Sequence, residues 1–183
     1  MGPAKNSGSP NLDYLFSVTY EELRRLAASV KQGDRSATLN PTALVNEAWM
    51  RLRGAPGLDV ESPLHFKRIA ARAMRQILVE AARRRQAQKR GGEGVAQLVP
   101  LDTAQERDSP SAPDAEEVLA LEEALNELES LDARQAHMVE ARFFGGLEVT
   151  ELMELFRVSE ATVMRDWRMA RAWLAQRMRG GAA

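Results

Sequence analysis

The apolar residues of this chain recur at intervals of three and four in one segment after another, and no segment alternates as a strand would. An α-helix turns once in 3.6 residues, so this period marks one buried face per segment and predicts an all-α fold. Arg157 to Met178 is the clearest case. Val163, Trp167, Ala170 and Leu174 fall on one stripe, while Arg165, Arg168, Arg171 and Arg177 occupy much of the rest. Ser159 stands where an N-cap should be, with Thr162 in the first turn. Just upstream, Val149, Leu152 and Phe156 describe a shorter amphipathic helix, with Arg157-Val158 as a tight connection. Two helices joined by so short a turn, the second one basic, describe a helix-turn-helix. Taken alone, the stretch also fits an ordinary amphipathic helix with solvated arginines, because Glu160 and Asp166 dilute its charge.

The remaining segments extend the pattern. Leu15, Val18, Leu23, Leu26 and Ala27 predict a first helix from Leu12 to Lys31, ending near Gly33. A second opens with Asn40 as N-cap and Pro41 at the first helical position, and Leu44, Ala48 and Leu52 share its face. Gly54, Pro56 and Gly57 break the chain. From Pro63 one long pattern aligns Phe66, Ile69, Ala73, Ile77 and Ala81, and these three helices can close one core. Gly91, Gly92, Gly94, Pro110 and Pro113 mark a flexible stretch, interrupted by the apolar Leu98 to Leu101. Beyond it, Val118, Leu121, Leu125 and Leu128 predict a helix, and Asp132 with Gln135 starts another that stops at Gly145-Gly146. The expected organisation is two small helical domains, residues 11–92 and 115–179, on a flexible linker, residues 93–114, that leaves them unoriented.

A net charge of −1 conceals a strong division along the chain. Phe66 to Arg90 carries Lys67, Arg68, Arg72, Arg75, Arg83, Arg84, Arg85, Lys89 and Arg90 against the single acid Glu80. That is the signature of a nucleic-acid or acidic partner. Leu101 to Asp132 reverses it, with Arg107 alone among many carboxylates. The absence of cysteine excludes disulfides and Cys-ligated metals, and His65 and His137 stand in unrelated segments. No catalytic constellation emerges, so neither an enzyme nor a cofactor nor a small-molecule substrate is expected. No apolar run approaches the roughly 20 residues of a membrane span, and the opening MGPAKNSGSPN has no apolar core; a cytoplasmic protein without membrane contact is expected.

With these segments in this order, from about Leu12 to Met178, the chain resembles the extracytoplasmic-function (ECF) type of bacterial sigma-70 factor, built from regions 2 and 4. ALVNEAWMRL is similar to the core-binding helix of region 2, and ARAMRQILVEAARRRQAQKRGG to its strand-opening, minus-10-reading helix. LDARQAHMVEARFFGGLEVTELMELFRVSEATVMRDWRMARAWL is similar to region 4. The resemblance implies core RNA polymerase and promoter DNA as partners. It assigns polymerase binding to Leu44, Val45, Asn46, Glu47, Trp49 and Met50. It assigns the minus-10 element to Arg72, Arg75, Gln76, Arg83, Arg84 and Arg85, where a cationic groove would hold the displaced strand. The minus-35 element falls to Ser159, Ala161, Thr162, Met164, Arg165 and Arg168 in the major groove, where arginine can grip guanine, while Val163 and Trp167 would face the core.

Three departures from the family pattern stand out. Arg157 occupies a turn position that usually admits glycine, Met164 replaces an often basic residue, and Asn40-Pro41-Thr42-Ala43 replaces an acidic helix opening. That neutral opening resembles a subgroup controlled by serine/threonine kinases. Thr42 is then the implied phosphorylation site, where a phosphate adds about −1.5 to −2 charge at the positive end of the helix dipole. The competing readings are a plain helix-turn-helix regulator and a polymerase-binding adaptor without sigma activity. A regulator needs a sensing or dimerising domain, whereas the first module has its own basic surface; an adaptor needs no base-reading residues.

Overall fold

The structure is a computed structural model that describes residues 12–30, 40–89 and 115–180. They form α1 (Leu12–Val30), α2 (Pro41–Arg53), α3 (Pro63–Lys89), α4 (Ala115–Leu131), α5 (Ala133–Phe143), α6 (Val149–Phe156) and α7 (Glu160–Gly180). The described residues contain no strand, and the expected all-α class holds. The expected end of the first helix near Gly33, the linker at 93–114 and its Leu98 to Leu101 segment lie outside the described residues.

The first core forms where α1, α2 and α3 meet, around Leu15, Leu23, Leu44, Val45, Phe66 and Ile77. Burying each such side chain contributes about 1.5–3 kcal/mol. Asn40 starts α2 as expected: its Oδ1 accepts the Ala43 amide at 2.7 Å, and Pro41 occupies the first turn. Val18, expected on the buried face of α1, is exposed, and Thr19 is buried in its stead, its hydroxyl donating to the Leu15 carbonyl at 2.7 Å. The four-residue steps from Leu15 through Thr19 and Leu23 to Ala27 follow the contact line, and the step of three to Val18 leaves it.

A second core joins α4, α5 and α7 through Leu125, Leu128, Ala136, Val139, Ala170 and Leu174, and a third fastens α6 through Met138, Leu147, Leu152 and Val163. The two helical groups are not separate. Ala71 of α3 is buried within the second core, and α3 also packs against α4, α5 and α6. The α5–α6 turn makes this approach through Gly145 and Gly146. A Cβ on Gly145 would lie 3.2 Å from that of Ala71, and one on Gly146, at φ 63, would lie 2.3 Å from the Leu26 side chain. The expectation of unoriented modules is therefore corrected: the two groups are docked, with α3 buried on two sides.

Candidate nucleic-acid and partner interfaces

The α6–α7 connection sets the direction of α7. Arg157 has φ 53 and ψ 47, a left-handed conformation that favours glycine, and the following Val158 amide reaches back to the Met153 carbonyl at 3.2 Å. Ser159 then caps α7, its Oγ accepting the Thr162 amide at 3.3 Å and hydrogen-bonding the Thr162 hydroxyl at 3.0 Å. Val163, Asp166, Ala170 and Leu174 are buried. Ser159, Ala161, Met164, Arg165 and Arg168 are exposed and Thr162 is half-buried, so the residues expected to meet the minus-35 element form one outward surface. Trp167 is half-buried against the second core, with the Arg142 guanidinium 4.6 Å above its ring.

Asp166, which in the sequence only dilutes the positive charge, is just 1% exposed. Its carboxylate accepts hydrogen bonds from Arg134 of α5 and from the adjacent Arg165. Its place three residues after Val163 and four before Ala170 was the legible signal, since that spacing puts it on the buried stripe.

On α3, Arg72, Gln76, Arg83 and Arg84 are exposed and Arg85 is half-buried. Arg75 does not join them. It is 8% exposed, its Nε donating to Glu122 at 2.7 Å, Nη1 to Glu140 at 3.2 Å and Nη2 to Asn126 at 2.8 Å. Arg75 therefore cannot meet nucleic acid while α4 and α5 lie on α3, because it is buried there and each of its three guanidinium nitrogens already donates to a residue of α4 or α5. Burial pushes the Glu140 carboxyl above its ordinary value, although Arg75, Arg72 and His137 pull it back.

Lys67 forms the second tie, with Glu22 of α1 and Glu151 of α6 each at 2.8 Å. Burial opposes its charge, but hydrogen bonds to Glu151 and Glu22 prevail and raise its pKa. Glu151 at the same time accepts the Glu148 amide at 2.8 Å in the capping box of α6. Arg177 of α7 donates to Glu127 of α4 at 2.7 Å. The acidic segment thus supplies partners to both basic helices, a consequence of the charge reversal visible in the sequence.

On α2, Leu44 and Val45 are buried in the first core, which corrects their expected place in a partner contact: they support the helix from beneath. Trp49 stacks on Phe16 at 4.4 Å and is half-buried, whereas Asn46 and Met50 are exposed. Glu47 is paired with Arg51 at 3.2 Å, and Arg51 also donates to Glu80 of α3 at 2.8 Å. Thr42 is exposed in a first turn that contains no acid. Among the described residues, no helix is long and apolar enough to cross a membrane.

A protein-family model described as ECF sigma factor matches residues 4–180. No curated protein and no solved structure matches the chain.

Proposed function

The chain belongs to the ECF sigma factor family, and on that premise we propose that it binds core RNA polymerase and directs it to promoters carrying minus-35 and minus-10 elements. Residues 115–179 serve as region 4, residues 11–92 as region 2, and residues 93–114 as the linker that lets one factor span both elements. The observation that carries this reading is the outward face of α7, where Ala161, Met164, Arg165 and Arg168 stand exposed above the buried Val163, Ala170 and Leu174. A helix seated in this way can enter a major groove without disturbing its own core. Arg72, Gln76, Arg83 and Arg84 line α3 as the corresponding surface for the minus-10 strand.

The docking of α4 and α5 on α3 supports a resting form that binds duplex promoter DNA poorly, because Arg75 is withheld. Association with polymerase separates the two groups. The test is capture by core polymerase followed by transcription from promoter DNA; tight sequence-specific binding by the free chain, with no effect on polymerase, overturns the reading.

Control by phosphorylation at Thr42 belongs to the same proposal. Thr42 is accessible, lies one residue after Pro41 in the first turn, and has no acid beside it there, while Glu47 is already paired with Arg51. A phosphate supplies the missing negative charge where the helix dipole stabilises it. A new charge-assisted contact contributes about 1.5–3 kcal/mol, or roughly tenfold to hundredfold in polymerase binding. Polymerase affinity of wild type, Thr42→Glu, Thr42→Ala and kinase-treated protein tests this. Unmodified protein that binds and transcribes as well as the phosphorylated form eliminates the switch.

A further inference from the structure

Asp166 is a buried carboxylate on the stripe that otherwise packs α7 onto its neighbours. Such a group is retained only when its charge is matched, and two arginines from different helices match it. Oδ2 accepts from Arg134, with Nε at 3.0 Å and Nη2 at 2.7 Å. Oδ1 accepts from Arg165, with Nε and Nη2 both at 3.2 Å. Their side chains nevertheless remain 44% and 58% exposed. Each arginine offers Asp166 only one edge of its guanidinium, and the remaining N–H donors are left for another acceptor.

We propose that Asp166 is a positioning residue that holds Arg134 and Arg165 as paired donors toward DNA, and that Arg134 is a DNA-contacting residue supplied from outside α7. The inference rests on the reading of α7 as the minus-35 helix. Arg165, on the reading helix itself, takes a base edge, and guanine offers two acceptors to its fork. Arg134 lies at the start of α5, to one side of α7, and takes a backbone phosphate, a contact without sequence preference. Held arginines lose less freedom on binding than free ones, so the buried acid raises both affinity and discrimination without touching DNA. An acid that served only to fasten α5 to α7 would leave promoter selectivity untouched.

The test uses the complex of this chain with core polymerase, and follows open-complex formation on a panel of single-base minus-35 variants at several salt concentrations. Asp166→Asn preserves side-chain shape and removes the charge; the expected result is about a tenfold loss of discrimination at one minus-35 position in a protein that stays folded at the assay temperature. Arg134→Ala is expected to weaken all promoters alike and to lower the salt slope by about one. If Asp166→Asn instead unfolds at the assay temperature, the surface variants Arg134→Ala and Arg165→Ala carry the decision. A uniform loss from the first and a single-position loss from the second uphold the inference; wild-type profiles from either overturn it. Wild-type discrimination in a stably folded Asp166→Asn protein also overturns it while leaving the minus-35 reading intact. A wild-type complex with no minus-35 preference overturns both.

Discussion

Arg75 on α3 and Glu140 on α5 meet at 3.2 Å, with side chains only 10% and 3% exposed, in the seam between the two helical groups. Removing one partner of such a pair leaves an uncompensated buried charge and costs about 3–5 kcal/mol. Arg75→Ala is therefore expected to loosen the seam. Small-angle scattering of the variant should give a larger radius of gyration than wild type, and an unchanged value would mean that apolar contacts such as Ala71 suffice.

The same carboxylate gives a pH signature. Because burial raises the Glu140 pKa, the folded chain holds that proton more tightly than the unfolded chain. Its contribution to stability is full below the ordinary carboxylate value and is lost as pH rises through the raised one. Glu140→Gln cannot titrate, so the stability of wild type relative to this variant should fall with rising pH across that interval. Glu80 and Glu151 act in the opposite sense, but they are common to both proteins and cancel in the difference. Denaturant titrations of both proteins through the acidic range decide this; a difference that is flat or rises with pH contradicts the assignment.

Much of the fold was legible because most of the helices bury a single stripe. Leu44, Ala48 and Leu52 announced α2, and Leu152 with Val163 announced α6 and α7. The periodicity failed where a helix is buried on two sides. Along α3, the row from Phe66 to Ile77 accounted for α1 and α2, while Ala71, Lys67 and Arg75 had no counterpart in local sequence because their partners lie far along the chain. A lone arginine or aspartate in a helix reads as solvated until tertiary contacts pair it. For that reason Arg75 reads in sequence as a DNA contact and Asp166 as surface charge.

Arg157 pays the conformational penalty that glycine would avoid. A left-handed residue bearing a Cβ costs about 1–2 kcal/mol, partly offset by the greater unfolded-state entropy of glycine. Arg157→Gly should therefore stabilise the chain by about 1 kcal/mol, raising the melting temperature by roughly 2–4 °C. A lower melting temperature would show that the arginine side chain contributes more than its backbone costs.

Gly146→Ala should act in the other direction. Its φ of 63 disfavours a side chain, and the new Cβ would meet Leu26 at 2.3 Å. A loss of at least about 1–2 kcal/mol is expected from the backbone alone. Adding Leu26→Ala makes room, so the double variant should lose less than the sum of the single losses. Strict additivity in denaturant titrations would place the turn and α1 out of contact.

Run-off transcription by core RNA polymerase, with and without the protein, reads out promoter-specific initiation itself. A template carrying both promoter elements should yield a transcript of defined length only when the chain is present, and scrambling the minus-35 element should abolish it. Equal transcription from intact and scrambled templates, or none from either while the chain is bound to core, is incompatible with a promoter-reading sigma factor.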